Sequence, residues 1–343
     1  MAQLSNPSRS FSSRPQHDYT DPVAVTDTST VIAKYQADAT SATGYQSESA
    51  LENALIAQLE RQAYEYADIR GVSAMRENVR EQLEKLNNYQ FSDAEWETFY
   101  KTEIANPASG IVDKTRTIQT DHIKNLSRDD GTTKNIALID KDNIHRNSLQ
   151  VINQYTTKGS DKGNKSNRYD VSILVNGLPL VHIELKRRGV AIKEAFNQIN
   201  RYQRDSFWAD EGLFQYVQLF IISNGTQTKY YSCTTRDLHL KETSGKVPAK
   251  KSKQLTSHSF EFTSWWADAT NKPITDLIPF AKTFLSKHTL LSVLTKYCVF
   301  TVDEMLLVMR PYQIAAAERI LNRIEQSVLN KKLGSLDAGG YIW

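Results

Sequence analysis

A chain of 343 residues holds material for about two domains and a sizeable core. Its 40% hydrophobic and 24% charged residues and mean hydropathy of −0.51 fit a globular protein, with no apolar run near the roughly 18 residues a membrane span needs. A net charge of +3 is too small to announce a nucleic-acid partner, and Cys233 and Cys298, far apart, exclude a disulfide framework or a cysteine zinc site.

The first 30 or so residues are rich in Ser, Thr, Pro and Asp and read as a flexible arm, with no charged-then-apolar leader. A cytoplasmic location follows as an expectation. Leu51, Leu55 and Leu59 stand four apart, and Ser49 with Glu52 has capping-box spacing, which predicts an amphipathic helix from about residue 49. Further helices are predicted at about 74–87 and 93–105. From about 110 the texture changes to alternating or β-branched runs: TRTIQTDHI, NIALIDK, RYDVSILV, LVHIELK and YVQLFIIS read as strands. A helix at about 189–205 carries an apolar stripe of Ile192, Ala195, Phe196 and Ile199. The alternation predicts an α/β domain with a mixed sheet. The stretch 241–254 is a polar, basic loop, and after about 270 the chain turns helical again.

The informative stretch runs from Arg168 to Lys186. Two strands flank Asn176-Gly177, a hairpin signal, so Asp170 stands near the start of one strand and Glu184 and Lys186 near the end of its partner. Residues two apart on a strand share a face, which sets the Glu184 carboxylate beside the Lys186 ammonium. A two-residue turn would pair position 170 with 183 and put Asp170 on the wrong face. A three-residue loop, or a bulge of the same effect, would pair 170 with 182 and make Glu184 its diagonal neighbour, and this is the predicted geometry. Two converging carboxylates form a hard-oxygen site suited to Mg²⁺ and a substrate phosphate. Glu-x-Lys alone recurs by chance on strand ends. Here, however, Glu184 emerges from an apolar strand, where an uncompensated carboxylate is costly. Gln198 and Tyr202 lie four apart on one face of the following helix.

Asp170, Glu184-x-Lys186 and Gln198-x-x-x-Tyr202 together resemble the PD-(D/E)xK nuclease core with the Q-x-x-x-Y extension of the RecB-like branch. The wording NRYDVSILVNGLPLVHIELKRRGVAIKEAFNQINRY, with YQSESALE before and LFIISNGT after, is similar to the restriction (R) subunits of type I restriction-modification enzymes. Tyr169 stands where the motif name has Pro, a position often not Pro in that family. The resemblance implies metal binding by Asp170, Glu184 and the carbonyl of Leu185, catalysis by Lys186, and DNA positioning by Gln198 and Tyr202. It also implies an acidic residue from the first helix, Glu48 or Glu52, near the site. The fold implied is a PD-(D/E)xK core, a mixed sheet flanked by helices, followed by a helical segment opening a superfamily 2 helicase domain. Residues 1–45 would be the arm, 46–265 the endonuclease domain and 266–343 a helical linker with the truncated start of the motor.

Arg310-Pro311-Tyr312-Gln313-Ile314 has the form of a helix start. In the resemblance Gln313 reads the adenine of ATP. The closing Ala338–Trp343 looks like the strand before a Walker A loop. No G-x-x-x-x-G-K-[ST] occurs, and Gly159–Ser166 has the residue types of a phosphate loop with the wrong spacing. The chain is therefore expected to be a fragment unable to hydrolyse ATP, which the full-length subunit would use. Arg187, Arg188, Arg201 and Arg204 cluster around the motif and would contact DNA phosphates without reading bases. The implied partners are double-stranded DNA and the methyltransferase and specificity subunits, the former using S-adenosylmethionine. The implied function is Mg²⁺-dependent cleavage of duplex DNA after ATP-driven translocation. The alternatives are a non-catalytic module coupling the motor to the methyltransferase core, and a phosphoesterase acting on a small nucleotide.

Overall fold

The computed structural model describes residues 46–157, 167–233, 260, 262–268 and 270–335, preceded by four two-residue strands, β1–β4 (Asp21–Pro22, Val25–Thr26, Ser29–Thr30, Ala33–Lys34). In these pieces β1 pairs with β4 and β2 with β3. The remainder of the expected arm, the loop 241–254, the Gly159–Ser166 stretch and the closing Ala338–Trp343 lie outside the described residues.

Helix α1 (Glu48–Arg61) buries Leu51, Leu55 and Leu59 as their spacing predicts. Its cap differs from expectation: the Ser47 hydroxyl, not that of Ser49, accepts the Ala50 N–H at 3.1 Å. Glu52 is no capping partner because Asn153 and Gln154 take its carboxylate. Helices α2 (Val72–Asn87) and α3 (Asp93–Phe99) follow, α3 continuing into a single π-turn at Tyr100–Ile104. The expected strand TRTIQTDHI is instead mostly the end of α4 (Ile111–Gln119). Thr115 and Ile118, three apart, are both buried on one helical face, so tertiary packing overrides the β-preference of the Thr-rich run. β6 (Ile123–Ser127) and β7 (Thr133–Ala137) form a separate ladder.

The main sheet has the order β12-β11-β10-β9-β8-β5, from β5 (Glu65–Tyr66), β8 (Leu149–Thr156), β9 (Arg168–Val175), β10 (Leu178–Leu185), β11 (Leu219–Ser223) and β12 (Thr228–Ser232). β5–β8 and β10–β11 pair in parallel and the rest antiparallel. A parallel pair needs a crossover, supplied between β10 and β11 by α5 (Ile192–Asp205), which packs on both strands. With α1 also against β10, every residue of that strand is buried, hence its nearly unbroken apolar run.

The hairpin corrects the predicted loop. Asn176 (φ 50°) and Gly177 (φ 82°) make a two-residue turn, pairing Val175 with Leu178 and Leu174 with Pro179. The register then shifts: Val181 pairs with Ile173, His182 with Ser172 and Ile183 with Val171, leaving Leu180 as a bulge. The pairing ends there; carried one residue further, this register sets Asp170 opposite Glu184 instead of diagonal to it. The parity is the one a site requires, reached by an extra residue in β10 and not by a longer loop.

The described residues between 266 and 308 pack back on this body. The helix Leu277–Thr283 lies against α1, a second helix spans Lys287–Thr295, and β13 (Cys298–Phe300) pairs with β14 (Leu306–Val308). One buried cluster extends from Leu51 through Trp266, Phe280 and Phe284 to Ile314, at the start of the last helix, Pro311–Leu329. No helix among the described residues is long and apolar enough to cross a membrane.

Gly177 combines a left-handed φ with a backbone neighbour: a Cβ there would lie 2.7 Å from the Cα of Val79. Gly177→Ala is therefore expected to destabilise the fold by about 2–4 kcal/mol, from left-handed strain plus overpacking, as measured by urea unfolding.

Candidate active site

The C-terminal end of β10 gathers four of the predicted groups. Asp170 Oδ2 accepts the Leu185 N–H at 2.9 Å, which tethers this carboxylate across the ladder. The Lys186 Nζ donates to Glu184 Oε1 at 3.1 Å and to the Leu185 carbonyl at 3.0 Å. Glu184 is 0% exposed, and its Oε2 has no hydrogen-bond partner among the described residues. His182 Nε2 stands 3.6 Å from that oxygen.

Burial pushes the Asp170 carboxyl up to about 7, the Glu184 charge adding to the rise and the Leu185 N–H opposing it. Burial likewise pushes Glu184 up to about 7 against the pull of the Lys186 ammonium. The two carboxyls face one another and titrate as a pair. Such an arrangement is costly without a counter-charge. The donor set fits a hard divalent cation: two carboxylates on one sheet face, the Leu185 carbonyl, and a buried Glu184 oxygen that no donor among the described residues binds. The Lys186 ammonium, bound to both Glu184 Oε1 and the Leu185 carbonyl, shows that these oxygens converge on a single positive charge.

α5 brings the other predicted pair. Gln198 Nε2 donates to the Tyr202 hydroxyl, which donates to the Arg168 carbonyl at 2.9 Å, at the beginning of β9. Tyr202 is buried, its phenol held protonated by burial and by the Glu184 charge. From α1, Glu48 and Glu52 both approach, in different ways. Glu48 is exposed and its Oε1 accepts the Arg187 N–H at 3.3 Å, and its charge reaches Glu184. Glu52 is buried and spent on Asn153 and Gln154. Glu48 is thus the acidic residue of α1 open toward the carboxylates.

Of the basic residues, Arg187 and Arg201 are exposed, the Arg201 guanidinium standing 5.6 Å from the Tyr202 ring centre. Arg188 is half-buried and binds Gln46, its N–H donating to the Gln46 carbonyl at 3.3 Å. Arg204 belongs to α5, its side chain lying outside the described residues. Gln313 is on the last helix, where its Oε1 accepts the Arg310 N–H at 2.8 Å. Sequence reasoning passed over Ser172 and His182, buried polar residues on the same face as the carboxylates; a histidine two residues before Glu184 in an apolar strand was the available signal.

The mixed sheet flanked by helices, with its paired carboxylates and lysine, is nuclease-like. The family model described as type I restriction enzyme R protein N terminus matches residues 45–239, and the chain belongs to that family. It is 48% identical over 317 residues to the type I restriction enzyme EcoprrI endonuclease subunit of Escherichia coli, covering 92% of this chain and 94% of that one. It is 34% identical over 305 residues to the SauMSSORF170P endonuclease subunit of Staphylococcus aureus, covering 87% of this chain but 28% of that one. A match of 46% identity over 79 residues joins it to the C-terminal part of the putative MpnIIP endonuclease subunit of Mycoplasma pneumoniae. Relatives named as endonuclease subunits support a site-specific nuclease.

A carboxyl whose native pKa exceeds its unfolded value holds more protons when folded, so its contribution to stability falls as pH rises between the two. For Asp170 and Glu184, with ordinary values of 3.8 and 4.5 and native values of about 7, the metal-free chain should lose stability from about pH 4 to about pH 7. Asp170→Asn should flatten this loss and stabilise the metal-free chain at pH 8 by about 1–3 kcal/mol. Urea titrations across the range in a chelator provide the check; stability that rises with pH would contradict the assignment.

Proposed function

We propose that this chain carries the Mg²⁺-dependent endonuclease of a type I restriction enzyme R subunit, built on a PD-(D/E)xK core, which cleaves double-stranded DNA. The observation that carries the proposal is the register that sets Asp170 and Glu184 on one sheet face, with Asp170 bound to the Leu185 N–H and Lys186 bound to Glu184 and to the Leu185 carbonyl. Asp170, Glu184 and the Leu185 carbonyl would hold the cation. When bound, Mg²⁺ would supply an acidified water and offset the charge developing on phosphorus. Lys186 has its own part: its ammonium orients the attacking water and stabilises the negative charge of the transition state. Gln198 and Tyr202, fixed to the start of β9 through the Arg168 carbonyl, position the DNA strand. Arg187, Arg188, Arg201 and Arg204 neutralise phosphates without reading bases.

The longer relatives, of which this chain matches 28%, leave room for a motor. In this reading residues 1–45 are an arm, 46–265 the endonuclease domain and 266–343 the linker and opening of a superfamily 2 helicase domain, with Gln313 reading adenine. ATP-driven translocation then precedes cleavage in a cytoplasmic complex with methyltransferase and specificity subunits, the methyltransferase using S-adenosylmethionine. The capping bond of Gln313 to Arg310 places its amide at the first turn of the helix.

The test uses the full-length subunit assembled with its partners. Lys186→Ala should lower plasmid cleavage in Mg²⁺ by about 10²–10³-fold while ATP hydrolysis is retained. Undiminished cleavage would instead make the triplet structural and favour a coupling module. For the 343-residue chain, duplex affinity should fall steeply with salt, and the double variant Arg187→Ala/Arg201→Ala should weaken it and flatten the salt slope whatever the duplex sequence.

A further inference from the structure

We propose that His182 and Ser172 are positioning residues for Glu184, a buried polar support that fixes the carboxylate for the cation; the inference rests on the metal-dependent reading above. Ser172 and His182 face each other across the β9–β10 ladder one rung before Asp170 and Glu184, so all four side chains share one face. Ser172, His182 and Glu184 are buried in strands otherwise filled by Val171, Ile173, Val181 and Ile183. The Ser172 hydroxyl lies 3.1 Å from His182 Nδ1, and His182 Nε2 lies 3.6 Å from Glu184 Oε2, the oxygen without a hydrogen-bond partner.

This line favours one tautomer for a cation-bound Glu184. With Glu184 ionised, as a cation requires, an unprotonated Nε2 would set one lone pair against another at the carboxylate, so in that state the ring N–H belongs on Nε2 and Nδ1 accepts from Ser172. The imidazole has little freedom to turn away. Tyr169, Tyr202, Phe207 and Phe220 meet it edge to face, with centroids 5.5, 6.3, 5.8 and 6.3 Å from its own. A sheet needing only a core aromatic would place Phe at 182 and an apolar residue at 172, avoiding the desolvation of both polar groups. Their pairing in line with Glu184 gives that cost a purpose: Glu184 Oε1 is drawn by Lys186 and Oε2 faces His182, so the carboxylate plane is held from both sides. Supports of this kind around a ligating carboxylate change metal affinity when removed.

The experiment titrates the 343-residue chain with Mn²⁺, following free Mn²⁺ by electron paramagnetic resonance, and records thermal unfolding in chelator beside it. Wild type should bind and Glu184→Gln should not; wild type that binds no Mn²⁺, or Glu184→Gln that binds as wild type, overturns the metal-site reading itself. With that reading standing, His182→Leu should weaken Mn²⁺ about 10–100-fold, Ser172→Ala should weaken it less, and His182→Gln, with an amide N–H near the Nε2 position, should recover part of the loss. A folded His182→Leu that is less heat-stable yet binds Mn²⁺ as wild type would show a packing role only and overturn the inference. Should His182→Leu fail to fold, Ser172→Ala decides, and unchanged affinity there overturns it equally.

Discussion

The parity of one β-ladder controls whether this protein has a site. The tight Asn176-Gly177 turn alone would carry its register to the end of the hairpin and turn Asp170 away from Glu184, because successive side chains alternate between faces. The extra residue at Leu180 reverses that outcome. The surrounding sequence supports the bulge: Pro179 has no N–H to lose from a ladder, a proline inside a sheet is tolerated at a bulge, and the Leu180 carbonyl accepts from Gln218 N–H at 2.8 Å. The turn is equally committed. Asn176 is buried, with its amide on the Leu138 carbonyl and Asn147 and its oxygen on Ser148 N–H, while Gly177 lies against the backbone of α2.

What the bulge assembles is expensive for the fold. Two carboxyls face each other in a desolvated strand end, with one lysine to balance them. A hydrophobic rung in the same place would stabilise the sheet at less cost. Sequences break local rules mainly where function compensates, and here the conflict is confined to two rungs of an otherwise apolar hairpin. The same conflict explains why Lys186 folds back on Glu184 and the Leu185 carbonyl instead of extending into solvent.

Much of this was legible because it is local. The strands at RYDVSILV and LVHIELK, the helix bearing Gln198 and Tyr202, and the leucines of α1 all follow from periodicity within single elements. The direction of the bulge was not, since one extra residue in either strand restores the parity; Pro179 is the residue that marks it. β8 was missed: its first four residues, Leu149 to Ile152, are all buried, so Leu149–Thr156 shows no apolar–polar alternation, and its Asn153 serves Glu52. The diversion of Glu52 from the α1 cap and the helical end of α4 depend on contacts distant in sequence, which no window of neighbouring residues contains.

The distribution of the site along the chain has a consequence for how it forms. Asp170 through Tyr202 is one continuous stretch and can approach its geometry from a hairpin and the helix after it. Glu48 arrives from more than a hundred residues away, and α1 must dock before it can. Its docking is written into the backbone beside the lysine: Arg187 N–H donates to Glu48 and Arg188 N–H to the Gln46 carbonyl, so the segment leaving β10 is pinned by the residues that open α1. At its other side α1 holds Asn153 and Gln154 through Glu52, next to the strand that carries Asp170. The helix therefore holds, from outside the hairpin, the segment leaving β10 and the strand beside β9. Loosening it would disturb the carboxylates without touching them, which makes the α1 contact the long-range element on which a locally encoded site depends.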